Sequence, residues 1–228
     1  MEASRKREEK VCAWLDEIKK DASHIFLLGD LWDTWLEYKK VIPKGSVRFL
    51  GKLASLSDAG IKITIYSGNH DLWTRDFFQT ELGVELRHIH ETISINGQLI
   101  HLGHGDGIGP GDHRYKFLKA ILRNPICQFF YRQVHPDLGI RIASFFSRRG
   151  PKHKYENLEF MGEEKEFQML YAKEILEEED VKYFVFGHRH IPNFLPIGDA
   201  ATYVNLGDWL SYNTYAVWSD GTMELKKA

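Results

Sequence analysis

Five side chains in this sequence have the chemistry of metal ligands: Asp30, Asn69, His104, His188 and His190. A sixth, His70, stands beside one of them. They fall in four glycine-punctuated blocks, Gly29-Asp30, Gly68-Asn69-His70-Asp71, Gly103-His104-Gly105-Asp106 and Gly187-His188-Arg189-His190. Oxygen and imidazole donors without thiolates suit a divalent ion such as Mn²⁺, Fe²⁺ or Zn²⁺. A carboxylate can bridge two such ions, and a pair roughly 3.5–4 Å apart can supply hydroxide near neutral pH and stabilise both oxygens of a phosphoryl transfer. Taken singly, each block has an ordinary explanation, since Asp after Gly is commonly a turn residue. His24, His88, His90, His135 and His153 lack such surroundings and read as surface or packing residues, and His101 is expected to face the sheet beside the site. The joint occurrence of the four blocks carries the metal reading.

Short strands must deliver these residues. His24 to Leu28 is an apolar run ending at Gly29-Asp30, and Ile61 to Tyr66 is another running into Ser67-Gly68-Asn69. A helix over about 46–58, stopped by Gly60, lies between them, and an amphipathic helix carrying Val11, Trp14, Leu15 and Ile18 precedes them, ending near Ala22. Glu91 to Ile95 and Gln98 to Leu102 read as a hairpin turning at Asn96-Gly97, with His104 just past its second arm. Tyr183 to Phe186 is a further buried strand leading into His188. Residues 113–179 read as mostly helical, broken near Pro136 and Gly150-Pro151, and residues 195–226 as short strands. Ligand sites in such sheets lie beyond the carboxyl ends of the strands. The alternation implies an α/β fold with helices packed on sheets.

The chain has room for one well-packed domain, residues 1–228. Cys12 and Cys127 are far apart and outside any Cys-x-x-Cys pattern, so neither a disulfide framework nor a thiolate zinc site is indicated, and a reducing cytosolic setting fits. No apolar run approaches a membrane span, and the charged opening does not read as a signal peptide. The formal charge of −2 hides a basic internal segment followed by an acidic one.

The four blocks resemble the signature of the calcineurin-like metallophosphoesterase superfamily, and they span residues 29–190. Within it, the chain is most similar to the UDP-2,3-diacylglucosamine pyrophosphatases of lipid A biosynthesis. That likeness rests on Gly29-Asp30-Leu31-Trp32-Asp33-Thr34-Trp35 and on an insertion after His104-Gly105-Asp106 that begins Asp112-His113-Arg114-Tyr115. The resemblance implies a two-sheet α/β sandwich flanked by helices, with a helical cap at residues 113–154. It implies two divalent ions, Mn²⁺ foremost, and hydrolysis of UDP-2,3-diacylglucosamine to UMP and 2,3-diacylglucosamine 1-phosphate. The setting implied is cytoplasmic, peripheral to the inner membrane of a Gram-negative bacterium, with a lipid-linked nucleotide as substrate. Position by position, Asp30 would bridge the ions, Asn69, His104 and His188 would complete one ion's ligands, and His190 would serve the other. His70 would be the catalytic residue at the phosphate or the leaving group, favoured by a neighbouring carboxylate. Asp71 and Asp106 would orient ligands or stabilise turns. Asn69, Asp112 and Tyr115 would touch substrate, the last two having helix capping and cap packing as their ordinary roles.

Two features depart from that family. Its first strand ends in Asp-x-His, which this sequence lacks before Asp30, and the expectation is that the sequence begins beyond that strand. His70 stands where several lipid A enzymes have Arg. A phosphodiesterase for another nucleotide or a nucleic acid, and a metal-poor scaffold of the same fold, therefore stay as alternatives.

Between His113 and Lys154 the chain has ten Lys or Arg residues and one acid, Asp137, interleaved with seven aromatics from Tyr115 to Phe146. Three readings compete: an interfacial lipid cap, a local apolar core, and a nucleic-acid groove. Leu118, Ile121, Leu122, Ile126, Leu138, Ile140 and Ile142 exceed what base stacking needs, so the lipid cap leads and no nucleic acid is expected. The following stretch, about Tyr155 to Glu179, is expected to be an acidic, solvated helix. Oligomeric state is not legible.

Overall fold

The computed structural model describes residues 2–111, 113–149 and 159–228. It divides into two compact units, Met1–His88 with Leu122–Gly150 and Ile89–Ile121 with Pro151–Ala228.

In the first unit, α1 (Glu2–Ile18) precedes a β-α-β-α-β succession: β1 (His24–Leu27), α2 (Val47–Asp58), β2 (Lys62–Tyr66), α3 (Phe77–Leu82) and β3 (Glu85–Arg87). The strands lie parallel in the order β1-β2-β3, with Ile25 opposite Ile63 and Ile65 opposite Leu86. Helical crossovers cover a parallel sheet, which is why β1 and β2 read as near-continuous apolar runs. Leu15 of α1, Leu53 of α2, Phe78 of α3 and the inward residues of β2 are almost wholly buried around it. Trp35 joins this core, its ring 5.0 Å from that of Phe78.

The cap stretch forms α4 (His113–Arg123), α5 (Pro125–Tyr131) and α6 (Pro136–Arg149). The break after α4 comes at Asn124, whose side chain accepts the Ile126 and Cys127 N–H groups while Pro125 takes the first helical position. The first unit includes α5 and α6, which are tied to it. Arg132 Nε donates to the Glu37 carbonyl at 2.9 Å, Trp73 and Tyr131 meet edge to face, and a Cβ on Gly139 would strike the Tyr38 hydroxyl.

In the second unit, β4 (Glu91–Ile95) and β5 (Gln98–Gly103) form the expected hairpin, with Asn96 and Gly97 at φ 49° and 83°. The sheet continues through β6 (Val181–Phe186), β7 (Pro192–Ile197) and β8 (Ala201–Leu206) in the order β4-β5-β6-β8-β7, with β5, β6 and β8 mutually parallel. Pro192 and Pro196 sit on the edge strand β7, where a missing N–H costs least. Met169 and Ala172 of α7 (Phe167–Leu176) are fully buried with Phe184, Phe186 and Tyr203. A separate hairpin, β9 (Thr214–Ser219) with β10 (Thr222–Lys227), closes the chain.

This part corrects the expected acidic helix. Residues 159–166 are not helical, the helix spans only Phe167–Leu176, and its buried face makes it a core element. Residues 155–158 of that expectation lie outside the described residues. No described helix is long and apolar enough to cross a membrane.

Candidate metal centre

In each unit the parallel strands run the same way, so their carboxyl ends deliver the chemically active residues to one sheet edge. In the first unit β1 leads into Gly29-Asp30 and β2 into Gly68-Asn69-His70. Asp30 has φ 54°, a left-handed conformation that Asp and Asn tolerate better than most residues. A Cβ on Gly68 would come 2.2 Å from Asp30 Oδ1 and 2.5 Å from Asp30 N, so only glycine lets the two loops approach this closely. The His70 N–H donates to Asp30 Oδ1 at 2.9 Å, fixing the carboxylate. Asp71, fully buried, accepts from the Leu31 N–H at 3.0 Å and from the Gly68 N–H, and so stitches the two loops together through their main chains.

His70 Nδ1 lies 2.9 Å from the Asp33 carbonyl oxygen. A carbonyl can only accept, so Nδ1 carries the proton in that bond and, in the neutral ring, Nε2 has the lone pair. Ser147 of α6 buttresses this arrangement, its hydroxyl donating to the same carbonyl at 2.8 Å and lying 3.1 Å from the ring nitrogen. The partner found for Nδ1 is thus main-chain oxygen, where a carboxylate was expected.

In the second unit β5 leads into His104, β6 into His188 and His190, and β8 into Gly207-Asp208. His104 is 3% exposed, and its ring centroid is 5.1 Å from that of His188, with one ligand nitrogen of each within 4.8 Å of the other. His188 and His190 both have left-handed backbone, at φ 64° and 58°. His190 Nδ1 is 3.5 Å from Asp208 Oδ2. Burial raises the pKa of Asp208, but the His190 contact and the Ser211 and Tyr212 N–H groups outweigh it and hold the carboxyl below its ordinary value. Asp208 escaped sequence reasoning, although Gly207-Asp208 after a strand repeats the signal of Gly29-Asp30.

Asp106, 2% exposed, receives the Tyr115 hydroxyl and the Lys119 ammonium, the latter at 2.7 Å, and so secures α4 to the loop that carries His104. Burial opposes its ionisation, yet His104, Lys119 and Tyr115 hold its carboxyl down at about 2. Tyr115, expected at the substrate, spends its hydroxyl on this contact, and Asp112 lies outside the described residues. His101 is buried and bonded to Thr92 Oγ1 at 2.9 Å, as its expected place in the sheet requires.

His90, read as a packing residue, supports the same loop: its Nε2 accepts the Gly105 N–H at 3.1 Å, which only a neutral ring protonated at Nδ1 allows. Burial pushes its pKa down to about 4, with Asp106 opposing. Below pH 6.5 the unfolded chain takes up a proton that the folded chain refuses until about pH 4. Stability is therefore expected to fall by about 3 kcal/mol through that window. Urea unfolding at pH 7 and pH 4.5 should show this loss in the parent and a smaller one in His90→Gln; equal losses would remove His90 as the cause.

These donors are of the kind that holds a divalent transition ion: a carboxylate locked by a main-chain N–H, an amide, and paired imidazoles on glycine-flanked loops. Residues 6–192 match the family described as Calcineurin-like phosphoesterase, and the chain belongs to that family of metal-dependent phosphohydrolases. Among curated proteins it is 38% identical over 234 residues to the UDP-2,3-diacylglucosamine hydrolase of Porphyromonas gingivalis, covering 96% of this chain and 88% of that one. It is 25% identical over 225 residues to the enzyme of the same name from Aliivibrio fischeri, covering 94% and 90%. For the Pseudomonas fluorescens (strain Pf0-1) counterpart the identity is 29% over 197 residues, covering 83% and 76%.

Proposed function

We propose that this chain hydrolyses the pyrophosphate bond of UDP-2,3-diacylglucosamine, yielding UMP and 2,3-diacylglucosamine 1-phosphate. The observation that carries this reading is the near-full-length likeness to the Porphyromonas gingivalis hydrolase. Two divalent ions, with Mn²⁺ the first choice and Fe²⁺ or Zn²⁺ as alternatives, supply a hydroxide nucleophile and charge stabilisation when bound. By likeness to the family, Asp30 would lie between them, Asn69, His104 and His188 would hold one ion, and His190 would serve the other. Hydrolysis adds water oxygen to one phosphorus and breaks the P–O–P link, and the departing phosphate carries away the bridging oxygen. His70, anchored at Nδ1 by Asp33, directs Nε2 chemistry at that phosphate: protonated, it donates to the departing oxygen; neutral, it accepts.

The described cap residues support a lipid substrate and a peripheral seat at the cytoplasmic face of the inner membrane. Neither α4 nor α5 has a single buried residue, and Phe117, Ile126, Phe129, Phe130, Phe145 and Phe146 are all exposed, Phe117 at 70%. This disfavours the local-core reading, because every phenylalanine of the stretch and four of its aliphatics, Leu118, Ile121, Ile126 and Leu138, are turned out. Exposed apolar side chains among Lys and Arg match an acyl chain beside a phosphate better than a run of bases.

Purified chain with Mn²⁺ is expected to release UMP from UDP-2,3-diacylglucosamine with a kcat/KM at least 100-fold above that for UDP-glucosamine. Equal use of the two substrates, or cleavage of a simple aryl phosphodiester alone, would defeat the lipid assignment and favour a general phosphodiesterase.

A further inference from the structure

A buried amide outside every recognised block bridges the two loops that carry His104 and His188. Gln168, in the first turn of α7 and 1% exposed, donates through Nε2 to the Gly105 carbonyl and to the Gly187 carbonyl, each at 3.1 Å. Each of those carbonyls belongs to the residue adjacent to a histidine. Its Oε1 accepts from the Tyr203 hydroxyl at 2.7 Å and from Asn205 Nδ2 at 2.9 Å, so both amide hydrogens and both lone pairs are used. The two carbonyl partners fix which end of the amide is nitrogen. Asn205, fully buried on β8, also donates to the Gly187 carbonyl, and the Gly187 N–H donates to the His104 carbonyl at 3.0 Å. A Cβ on Gly105 would sit 2.2 Å from Gln168 Nε2, so that glycine makes room for the bridge. Two residues earlier, Glu166, 1% exposed, holds Arg189 through Nε at 2.7 Å and Nη2 at 3.3 Å, clamping the residue between His188 and His190.

We propose that Gln168 is a positioning residue for metal binding, setting the spacing of the His104 and His188 imidazoles by holding the main chain beside each. The inference rests on reading those histidines as ligands. An apolar side chain of the same length would fill the space but remove the donor that both carbonyls share, leaving the Gly187 N–H to His104 carbonyl bond to hold the loops without that brace. Groups that orient metal ligands typically matter ten- to a hundredfold for affinity.

The test is titration of the full chain with MnCl₂ alone, free Mn²⁺ being followed by its paramagnetic resonance, alongside thermal unfolding without metal. Gln168→Met is expected to bind Mn²⁺ ten- to a hundredfold more weakly. Tyr203→Phe, which leaves both loop contacts of Gln168 in place, should bind within about threefold of the parent. The double variant Gln168→Met/Tyr203→Phe removes the hydroxyl that the first change orphans, so it should regain stability while staying weak for Mn²⁺. A folded Gln168→Met with parental affinity, or a double variant that recovers affinity together with stability, would reduce Gln168 to a packing residue. Should neither Gln168 variant fold, exchange of the Gln168 side-chain amide protons in the parent decides: slower exchange on loading with Zn²⁺ supports the coupling, and unchanged exchange overturns it. A parent that binds no Mn²⁺ would overturn both this inference and the ligand assignment beneath it.

Discussion

Asp30→Asn is expected to lower hydrolysis by roughly 10³-fold, about 4 kcal/mol of barrier, and to strip the purified protein of most of its metal. The substitution is chosen for what it preserves. Asn accepts the left-handed backbone found at φ 54°, and its side-chain oxygen can still receive the His70 N–H. What disappears is the negative charge and the capacity to bridge two cations. Alanine would instead empty the space that Gly68 keeps open, leaving the His70 N–H without its acceptor and mixing a folding effect into the result. Metal analysis after gel filtration, with kcat/KM on the acylated substrate, measures both consequences. If Asp30→Asn retains parental metal content and rate, Asp30 is a turn residue and the metal set must be sought elsewhere.

The strand-end blocks were legible because two signals coincide there. An apolar run marks each buried strand, and a glycine followed by a donor residue marks the sharp turn after it, which for Asp30, His188 and His190 is a positive φ. Where only one signal is present, the sequence misleads. Glu85-Leu86-Arg87 forms β3 through pairing with β2, yet three residues with charges at both ends have no strand pattern of their own. Glu163-Glu164-Lys165-Glu166 reads as solvated acid, but Glu166 is buried because Arg189, far along the chain, pairs with it. Gln168 presents the same difficulty: its function is defined by four partners brought together by β5, β6 and β8, and nothing local announces them. The break at Asn124-Pro125 was readable in principle, since an Asn cap before Pro is a helix start, but the apolar periodicity continuing across it concealed the signal.

Replacing both Phe129 and Phe130 of α5 by Ser is expected to release the protein from anionic vesicles while leaving its fold and its metal unchanged. These side chains are 60% and 67% exposed on a helix with no buried residue, their rings meeting edge to face. Deleting the cap would be a poorer test, because Arg132, Tyr131 and Gly139 of the same region are packed against Glu37, Trp73 and Tyr38. Transfer of a Phe side chain from water to an acyl environment is worth about 1.5–3 kcal/mol when complete. Two partly inserted rings therefore account for about 2–4 kcal/mol, a 30- to 1,000-fold change in partitioning. Arg141, exposed on α6, adds attraction to lipid phosphate that salt should weaken. Co-sedimentation with vesicles containing phosphatidylglycerol, at low and at physiological salt, separates the two contributions. The parent should bind at both, and the double variant should keep only weak binding at low salt. In the same variant, KM for detergent-dispersed UDP-2,3-diacylglucosamine should rise if α5 also holds acyl chains and stay level if it only seats the enzyme on the bilayer. Unchanged vesicle binding in the double variant would show that the exposed rings of α5 are not the membrane contact.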